Sequence, residues 1–416
     1  MLYILRSLIR KLPGLVIKAV PLPDPETVSG YGSRDRTGEL CRENGFERVL
    51  LVTDKTVFSL GLHEKITASL SEHGIAYSVF SDISSEPNLT IIDGGRAALT
   101  DFNADAIIAL GGGAVMDSCK MIAAGGRLTK RKSKSLLRKF LFVRHKTLPI
   151  IAVPTTAGTG AEITVGAVVT NEKESKNSTV VVGLDVRRVI LDSELTVKAP
   201  KGVTCACGID ALSHGLEGVA APVKVSDDDM KKSMECVNLV LENLPVLIGE
   251  PENIRARQNM CLAAHYGGNA INKQLAGYVH AFAHSIGAKY HIPHGNAIAL
   301  SLLPVMKLQK GQCQKRLAAL SRYCALADDS ASDADACDKL LDAIGALIDL
   351  CGFEHRKDLI AKADYASLAR AIAWDSINYT PPIVMSNRQI YTVLDDINQK
   401  CGPAGRIEQE IHNIAE

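Results

Sequence analysis

Residues 106–120 read AIIALGGGAVMDSCK, and this stretch decides the fold. The run AIIAL (106–110) is short and continuously apolar, which suits a buried strand of a parallel sheet. Gly111, Gly112 and Gly113 follow, and a helical pattern opens behind them. Glycines let backbone approach a ligand closely. The unpaired N–H groups at a helix N-terminus favour an anion such as phosphate. The same three glycines also suit an ordinary tight turn, and their spacing is not GxGxxG.

Working outward, the alternation continues on both sides. RVLLVTD (48–54) and AYSVF (76–80) read as strands, with helical periodicity over 58–73 and 89–102. PIIAVP (149–154) reads as a further strand and runs into PTTAGTGAE (154–162). In that second loop Thr155, Thr156 and Thr159 offer hydroxyls, while Gly158 and Gly160 keep backbone N–H groups accessible. Two such loops at the ends of neighbouring strands form the crevice where α/β sheets bind ligands. Turn chemistry alone is the plainer reading of either loop; the pair points to a cofactor carrying a diphosphate.

Beyond residue 200 the strand-like runs stop. Helical periodicity covers 203–220, 226–247, 251–272, 295–310, 314–327, 335–350, 365–375 and 388–399. The 416 residues suit two or three domains at ~150 residues each. The expected plan is an α/β N-terminal dinucleotide-binding domain (1–199) with a Rossmann-like parallel sheet. An all-α C-terminal domain (200–416) is expected to follow, and its metal-ligand residue types make it the expected metal-binding and catalytic one.

Metal-ligand residue types gather in the helical half. GIDALSHGLE (208–217) places Asp210 and His214 at i, i+4, on one helix face. YVHAFAHSIGAKYHIPHG (278–295) repeats that spacing with His280 and His284, and adds His291 and His294 after a proline-containing turn. A lone i, i+4 Asp–His pair is usually a surface contact, and a lone histidine in an apolar helix is usually a satisfied core residue. Two such pairs favour a metal. One carboxylate and three imidazoles suit Fe²⁺ or Zn²⁺ with room for a substrate oxygen.

Composition sets limits on partners. With 47 basic and 46 acidic side chains the formal net charge is +1, which gives no reason to expect a nucleic-acid partner. The Lys/Arg-rich segment 126–148 reads as a solvated excursion between sheet units. Eleven scattered cysteines without a CxxC pair suggest reduced thiols and a cytoplasmic protein. At the N-terminus, Leu2, Leu5, Leu8, Ile9 and Leu12 fit one face of a short amphipathic helix, while Arg6, Arg10, Lys11 and Lys18 interrupt any signal-like run. A targeting or membrane-surface role is the other reading of that segment. No stretch is apolar for the ~18 residues of a membrane span.

The motifs, in this order, resemble the iron-containing (group III) alcohol dehydrogenases from about residue 21 to near 400. That family's GGGSxxDxxK appears as GGGAVMDSCK, PTTAGTGSE as PTTAGTGAE, and DALxHxxE as DALSHGLE. GxxHxxxHxxGxxxxxPHG appears as GYVHAFAHSIGAKYHIPHG. Ala114 and Ala161 replace serines, and Gly218-Val219 stands where the family often has Ala-Tyr, which puts transfer of a substrate in doubt.

The resemblance implies a reversible NAD(P)-linked oxidation of a small alcohol or diol to an aldehyde or ketone, in a homodimer or higher homo-oligomer. It implies that Asp210, His214, His280 and His294 hold one divalent ion, with Fe²⁺ expected and Zn²⁺ an alternative occupant. His284 matches a non-ligand histidine assigned to proton relay. Gly111, Gly112, Gly113, Asp117, Thr155, Thr156 and Thr159 match the nucleotide site, and Lys176 matches a lysine at the cofactor ribose. Asp54 matches the acidic residue near the adenosine ribose. A carboxylate there accepts hydrogen bonds from a 2′-OH and repels a 2′-phosphate, so NAD is expected over NADP. Its plainer role is to cap the following helix. Glycerol dehydrogenase-like and dehydroquinate synthase-like members of the same superfamily are the near alternatives. A non-catalytic nucleotide- and metal-binding protein is the distant one.

Overall fold

A computed structural model of the chain describes residues 22, 24–84, 88–124, 147–171, 176–181, 186–353 and 358–399. The expected N-terminal helix and all but the last two residues of the basic excursion at 126–148 lie outside them, as does the side chain of Lys176. The chain divides into two compact units. Of the described residues, one holds those of 21–199 together with Glu252–Gly268, and the other holds those of 200–251 and 269–399. A single cut near residue 200 therefore omits one return: Glu252–Gly268 belongs to the strand-bearing unit.

That unit has eight described strands: β1 (Glu26–Ser29), β2 (Arg48–Asp54), β3 (Ala76–Ile83), β4 (Ala106–Gly111), β5 (Ile150–Pro154), β6 (Gly166–Asn171), β7 (Lys176–Val181) and β8 (Val186–Leu191). Six form one sheet in the order β1-β8-β5-β4-β2-β3, parallel at every pairing. β6 and β7 make a separate antiparallel hairpin. Described helices are α1 (Thr37–Glu43), α2 (Lys55–Ser59), α3 (Glu64–Glu72), α4 (Leu89–Asp101) and α5 (Gly113–Ala123).

Alternate strand residues feed two cores. Leu50, Val52, Ile107, Ala109, Ile150 and Ala152 pack with Ile92 and Leu99 of α4 and Val115 and Met116 of α5. Val49, Leu51, Ile108, Leu110, Ile151 and Val153 pack with Leu40 of α1 and Ile66 and Leu70 of α3. With both faces covered, the central strands must be apolar throughout, hence the unbroken runs. Each large side chain buried this way contributes about 1.5–3 kcal/mol over exposure, and a one-residue slip would exchange the two sets. From β2 the chain moves to β3 on one side, and from β4 to β5 on the other. The C-terminal ends of β2 and β4, Asp54 and Gly111, thus flank the reversal point, where open α/β sheets bind ligands.

Among the remaining described residues the helices are α6 (Lys201–Ala220), α7 (Asp227–Gly249), α8 (Ile254–Gln274), α9 (Tyr278–Tyr290), α10 (His294–Tyr323), α11 (Asp333–Cys351), α12 (Tyr365–Asp375) and α13 (Asn387–Gln399). α6 is buried at every position from 208 to 220, as expected of a helix at the centre of its unit. α7 and α10 pack on it, and α9, α11 and α13 pack on α10.

Two expectations about helix limits need correction. The stretch 58–73 is not one helix; α2 and α3 are separated by a turn containing Gly61 at φ 70°. The stretches 295–310 and 314–327 are one 30-residue helix, α10, which runs through the exposed Gly311 despite its low propensity. No helix among the described residues is long and apolar enough to cross a membrane.

Candidate active site

α6 carries Asp210 and His214 one turn apart, facing α9 and the start of α10. α9 contributes His280 and His284. It ends at His291, whose left-handed backbone (φ 54°) closes the helix. Pro293 then starts α10, so that His294 is its first residue. Three imidazole Nε2 atoms converge on one carboxylate oxygen, Asp210 Oδ1: His294 at 3.3 Å, His214 at 3.5 Å and His280 at 3.7 Å. The ligand atoms of Asp210, His280 and His294 all lie within 4.8 Å of one another. His291 is exposed and is not among them.

The hydrogen bonding of this cluster is incomplete. Asp210 Oδ1 and His280 Nε2 are buried and make no hydrogen bond. Such groups are costly to bury unless something else meets them. Burial alone would push the Asp210 carboxyl up, but His214, His294 and His280 outweigh it and hold it well below the ordinary range. Burial pushes His214 down to about 4, so its ring is neutral at neutral pH. For His280, burial acts downward but Asp210 and Glu217 more than reverse it. An ionised carboxylate and imidazole nitrogens aimed at one point are the donor set of a divalent cation. Asp210, His214 and His280 are buried, whereas the side chains of His294 and His284 are 42% and 41% exposed, which gives the cluster an open side.

Glu217, one turn beyond His214 on α6, sets the orientation of His280. Its Oε2 lies 2.6 Å from His280 Nδ1, and its Oε1 accepts the Val279 N–H at 2.7 Å. Nδ1 is thereby the nitrogen engaged by Glu217, and Nε2 is the nitrogen on the Asp210 side. His284 sits on the exposed side, with its ring 5.3 Å from that of His294 and 5.9 Å from that of His280. Its Nδ1 is 3.0 Å from Asp375 Oδ2 and 3.2 Å from Tyr379 Oη, and the Tyr379 hydroxyl donates to the same Asp375 oxygen at 3.3 Å. Partial desolvation, with the neighbouring His294 and His280, lowers the His284 pKa against the pull of Asp375.

In the strand-bearing unit the two glycine loops face each other. A Cβ on Gly112 would lie 3.3 Å from Thr156, and one on Gly113 would lie 3.1 Å from Thr159. The Thr155 N–H donates to Gly111 O at 3.0 Å, tying the ends of β4 and β5. Gly112 caps α5 and has no side chain of its own to occupy the first-turn amides.

Asp54 is the N-cap of α2: its Oδ1 accepts the Thr56 and Val57 N–H groups at 2.8 and 2.9 Å. Asp117 is held from both sides. Its Oδ1 accepts from Lys120 Nζ at 3.0 Å and its Oδ2 from the Val168 N–H at 2.9 Å. The buried Lys120 also donates to Gly166 O at 2.6 Å, so this pair anchors the β6–β7 hairpin beside the first loop.

The profile of iron-containing alcohol dehydrogenases matches residues 24–192, and the C-terminal profile of Fe-containing alcohol dehydrogenases matches residues 204–397. The chain belongs to the iron-containing alcohol dehydrogenase family. It is a metal-dependent alcohol oxidoreductase. The probable alcohol dehydrogenase EutG of Escherichia coli (strain K12) is 30% identical over 377 residues, 90% of this chain and 93% of that one. The solved alcohol dehydrogenase from Oenococcus oeni is 28% identical, with a TM-score of 0.83 over 91% of this chain and 100% of that one. Sulfoacetaldehyde reductase from Bifidobacterium kashiwanohense, solved in complex with NAD+, is 26% identical, with a TM-score of 0.82 over 92% and 98%.

Within this family member, the sequence reading passed over three residues that the fold brings to the cluster. Glu217 lay inside the quoted motif, seven positions after Asp210. Its spacing of i, i+4, i+7 with Asp210 and His214 was a usable sign of a shared helix stripe. Asp375 and Tyr379 gave no such sign, being 91 and 95 residues from His284.

Proposed function

We propose that this dehydrogenase oxidises a small alcohol or diol, or reduces the matching aldehyde or ketone, at a divalent ion held by Asp210, His214, His280 and His294. The observation that carries the assignment is the convergence of three Nε2 atoms on an ionised, buried Asp210 oxygen without a hydrogen bond among them. When bound, the ion supplies a Lewis acid for the substrate oxygen, and the nicotinamide supplies or takes the hydride. Fe²⁺ is the proposed native metal. The Irving–Williams order lets Zn²⁺ replace it during purification.

The protein's own groups have distinct tasks. Asp210 brings the negative charge that a cation requires, and Glu217 fixes the His280 tautomer. His284 Nε2 takes or gives the substrate proton, while Asp375 accepts the Nδ1–H on the other side of the ring. The first-turn amides of α5 and the hydroxyls of Thr155, Thr156 and Thr159 bind the diphosphate. Asp117 acts through the Lys120 framework behind Gly111, Gly112 and Gly113. Asp54 selects NAD over NADP, and Lys176 contacts the ribose. A reducing cytoplasm and a homodimer or higher homo-oligomer complete the reading; the ten described cysteines are all free thiols.

Metal-loaded protein, screened with NAD and NADP against short primary alcohols, diols and aldehydes at the nicotinamide absorbance, tests the function. The expected result is metal-dependent turnover with NAD preferred. Full turnover in a His280→Ala variant with unchanged metal content would reject the site.

A further inference from the structure

The chain returns to the strand-bearing unit at Glu252–Gly268, and that return places His265 of α8 against the second glycine loop. His265 is 8% exposed and Glu162, the last residue of PTTAGTGAE, is 4% exposed. His265 Nδ1 lies 3.2 Å from Glu162 Oε1, and its Nε2 lies 3.4 Å from Thr27 Oγ1 on β1. With a neutral ring, Nδ1–H donates to the carboxylate and Nε2 is the acceptor facing the Thr27 hydroxyl, which Pro25 O shares at 3.4 Å.

A second contact acts on the same loop two residues earlier. Gly160 has φ 60°, and a Cβ there would lie 2.5 Å from Gly268 Cα and 2.6 Å from Ala264 O. A Cβ on Gly268 would lie 2.5 Å from Gly160 O. His265 and Gly268 are i, i+3 on α8 and share a face. That face therefore grips the loop at both 160 and 162, and the gripped segment carries Thr159, which meets Gly113 of the first loop. A leucine would fill the volume of His265 more cheaply than a buried imidazole, which needs its partners to be tolerated.

We propose that His265 is a positioning residue for the cofactor: through Glu162 it fixes the 155–162 loop at the spacing from the Gly111–Gly113 loop that a dinucleotide diphosphate requires. This rests on the nucleotide reading of the two loops. His265 touches neither the diphosphate nor the reacting atoms. It acts through the loop, so its removal weakens cofactor binding and leaves turnover at saturating cofactor unchanged.

NADH binding to the metal-loaded full chain, followed by nicotinamide fluorescence, tests the proposal. His265→Leu should weaken binding about tenfold, as loss of hydrogen bonds to a buried charged group allows. His265→Gln keeps a donor for Glu162 and an acceptor for Thr27, and should restore it. A role in packing alone would lower Tm in the leucine variant while leaving the NADH Kd of the folded protein unchanged, and that result overturns the proposal. Gly113→Ala distinguishes failure of the underlying reading, because its Cβ meets Thr159 directly. If Gly113→Ala leaves NADH binding intact, the loops do not hold the nucleotide. If it weakens binding while His265→Leu does not, only the positioning role is wrong. Should His265→Leu not fold, Glu162→Gln decides: a raised NADH Kd supports the proposal, and an unchanged one overturns it.

Discussion

Glu217 Oε2 stands 2.6 Å from His280 Nδ1, and through that contact a residue outside the four proposed ligands decides which nitrogen of His280 faces Asp210. The arrangement is the carboxylate–histidine pairing common behind metal ligands, built here between α6 and α9. It also explains Gly277, whose Cβ would lie 2.5 Å from Glu217 Oε1. No larger residue leaves room for the carboxylate at the N-terminus of α9.

Glu217→Gln keeps the shape of that side chain and removes its charge. Loss of such an outer partner typically weakens metal binding by about 10–100-fold. Competition against a chelator of known affinity should show a loss in that range, with the fold intact by circular dichroism. Wild-type affinity in this variant would mean that the backbone of α9 alone orients His280.

Asp54 caps α2 and is proposed to select NAD, and one substitution can separate the two. Its Oδ1 caps α2, so Asp54→Ala loses roughly 1 kcal/mol of cap stability whatever the cofactor does. Serine is an equally good cap but carries no charge. Asp54→Ser should keep the wild-type Tm and narrow the NAD-over-NADP ratio of kcat/KM. Should that ratio stay where it was, Asp54 is a cap and nothing more.

The legibility of the fold followed burial. β2, β4 and β5 are covered on both faces, and their continuous apolar runs gave them away. β8 escaped because Arg187 and Arg188 interrupt its apolar pattern, and β1 because it is a four-residue edge strand without a fully buried position. The Asp210–His214 and His280–His284 pairs were visible because an α-helix repeats locally. The Glu217–His280 and Glu162–His265 pairs were not, because their partners lie 63 and 103 residues apart and no local period links them. The return of α8 to the strand-bearing unit was hidden for the same reason: its helical pattern is the same whichever unit it serves.

Metal removal should lower stability, since an ion that binds only the folded cluster stabilises it by mass action. The gain is about 2.7 kcal/mol when free metal stands at a hundred times its Kd. Thermal unfolding of the apo and Fe²⁺- or Zn²⁺-loaded protein should therefore differ by several degrees. Asp210→Asn removes the one charge on which the three imidazoles converge, and its Tm should no longer respond to metal. An equal response in wild type and Asp210→Asn would place the ion elsewhere.

His284 separates from the ligands by its surroundings. Its Nδ1 is occupied by Asp375 and Tyr379, so the ring turns Nε2 away from them. That arrangement supports the proposed role of His284 as an oriented base. His284→Ala should keep its metal and bind NADH normally. It should lose about 10²–10⁴-fold in kcat, the range that a positioned proton-transfer group contributes. Asp375→Ala should lose part of the same factor, because it frees the ring to rotate and to exchange tautomers. Two residues acting through one proton are not additive, so adding Asp375→Ala to His284→Ala should cost little more than His284→Ala alone. If the losses multiply instead, Asp375 acts independently of the ring. If His284→Ala empties the metal site, His284 is a ligand. If it retains both metal and wild-type kcat, the ring only packs, and the proton leaves by another route.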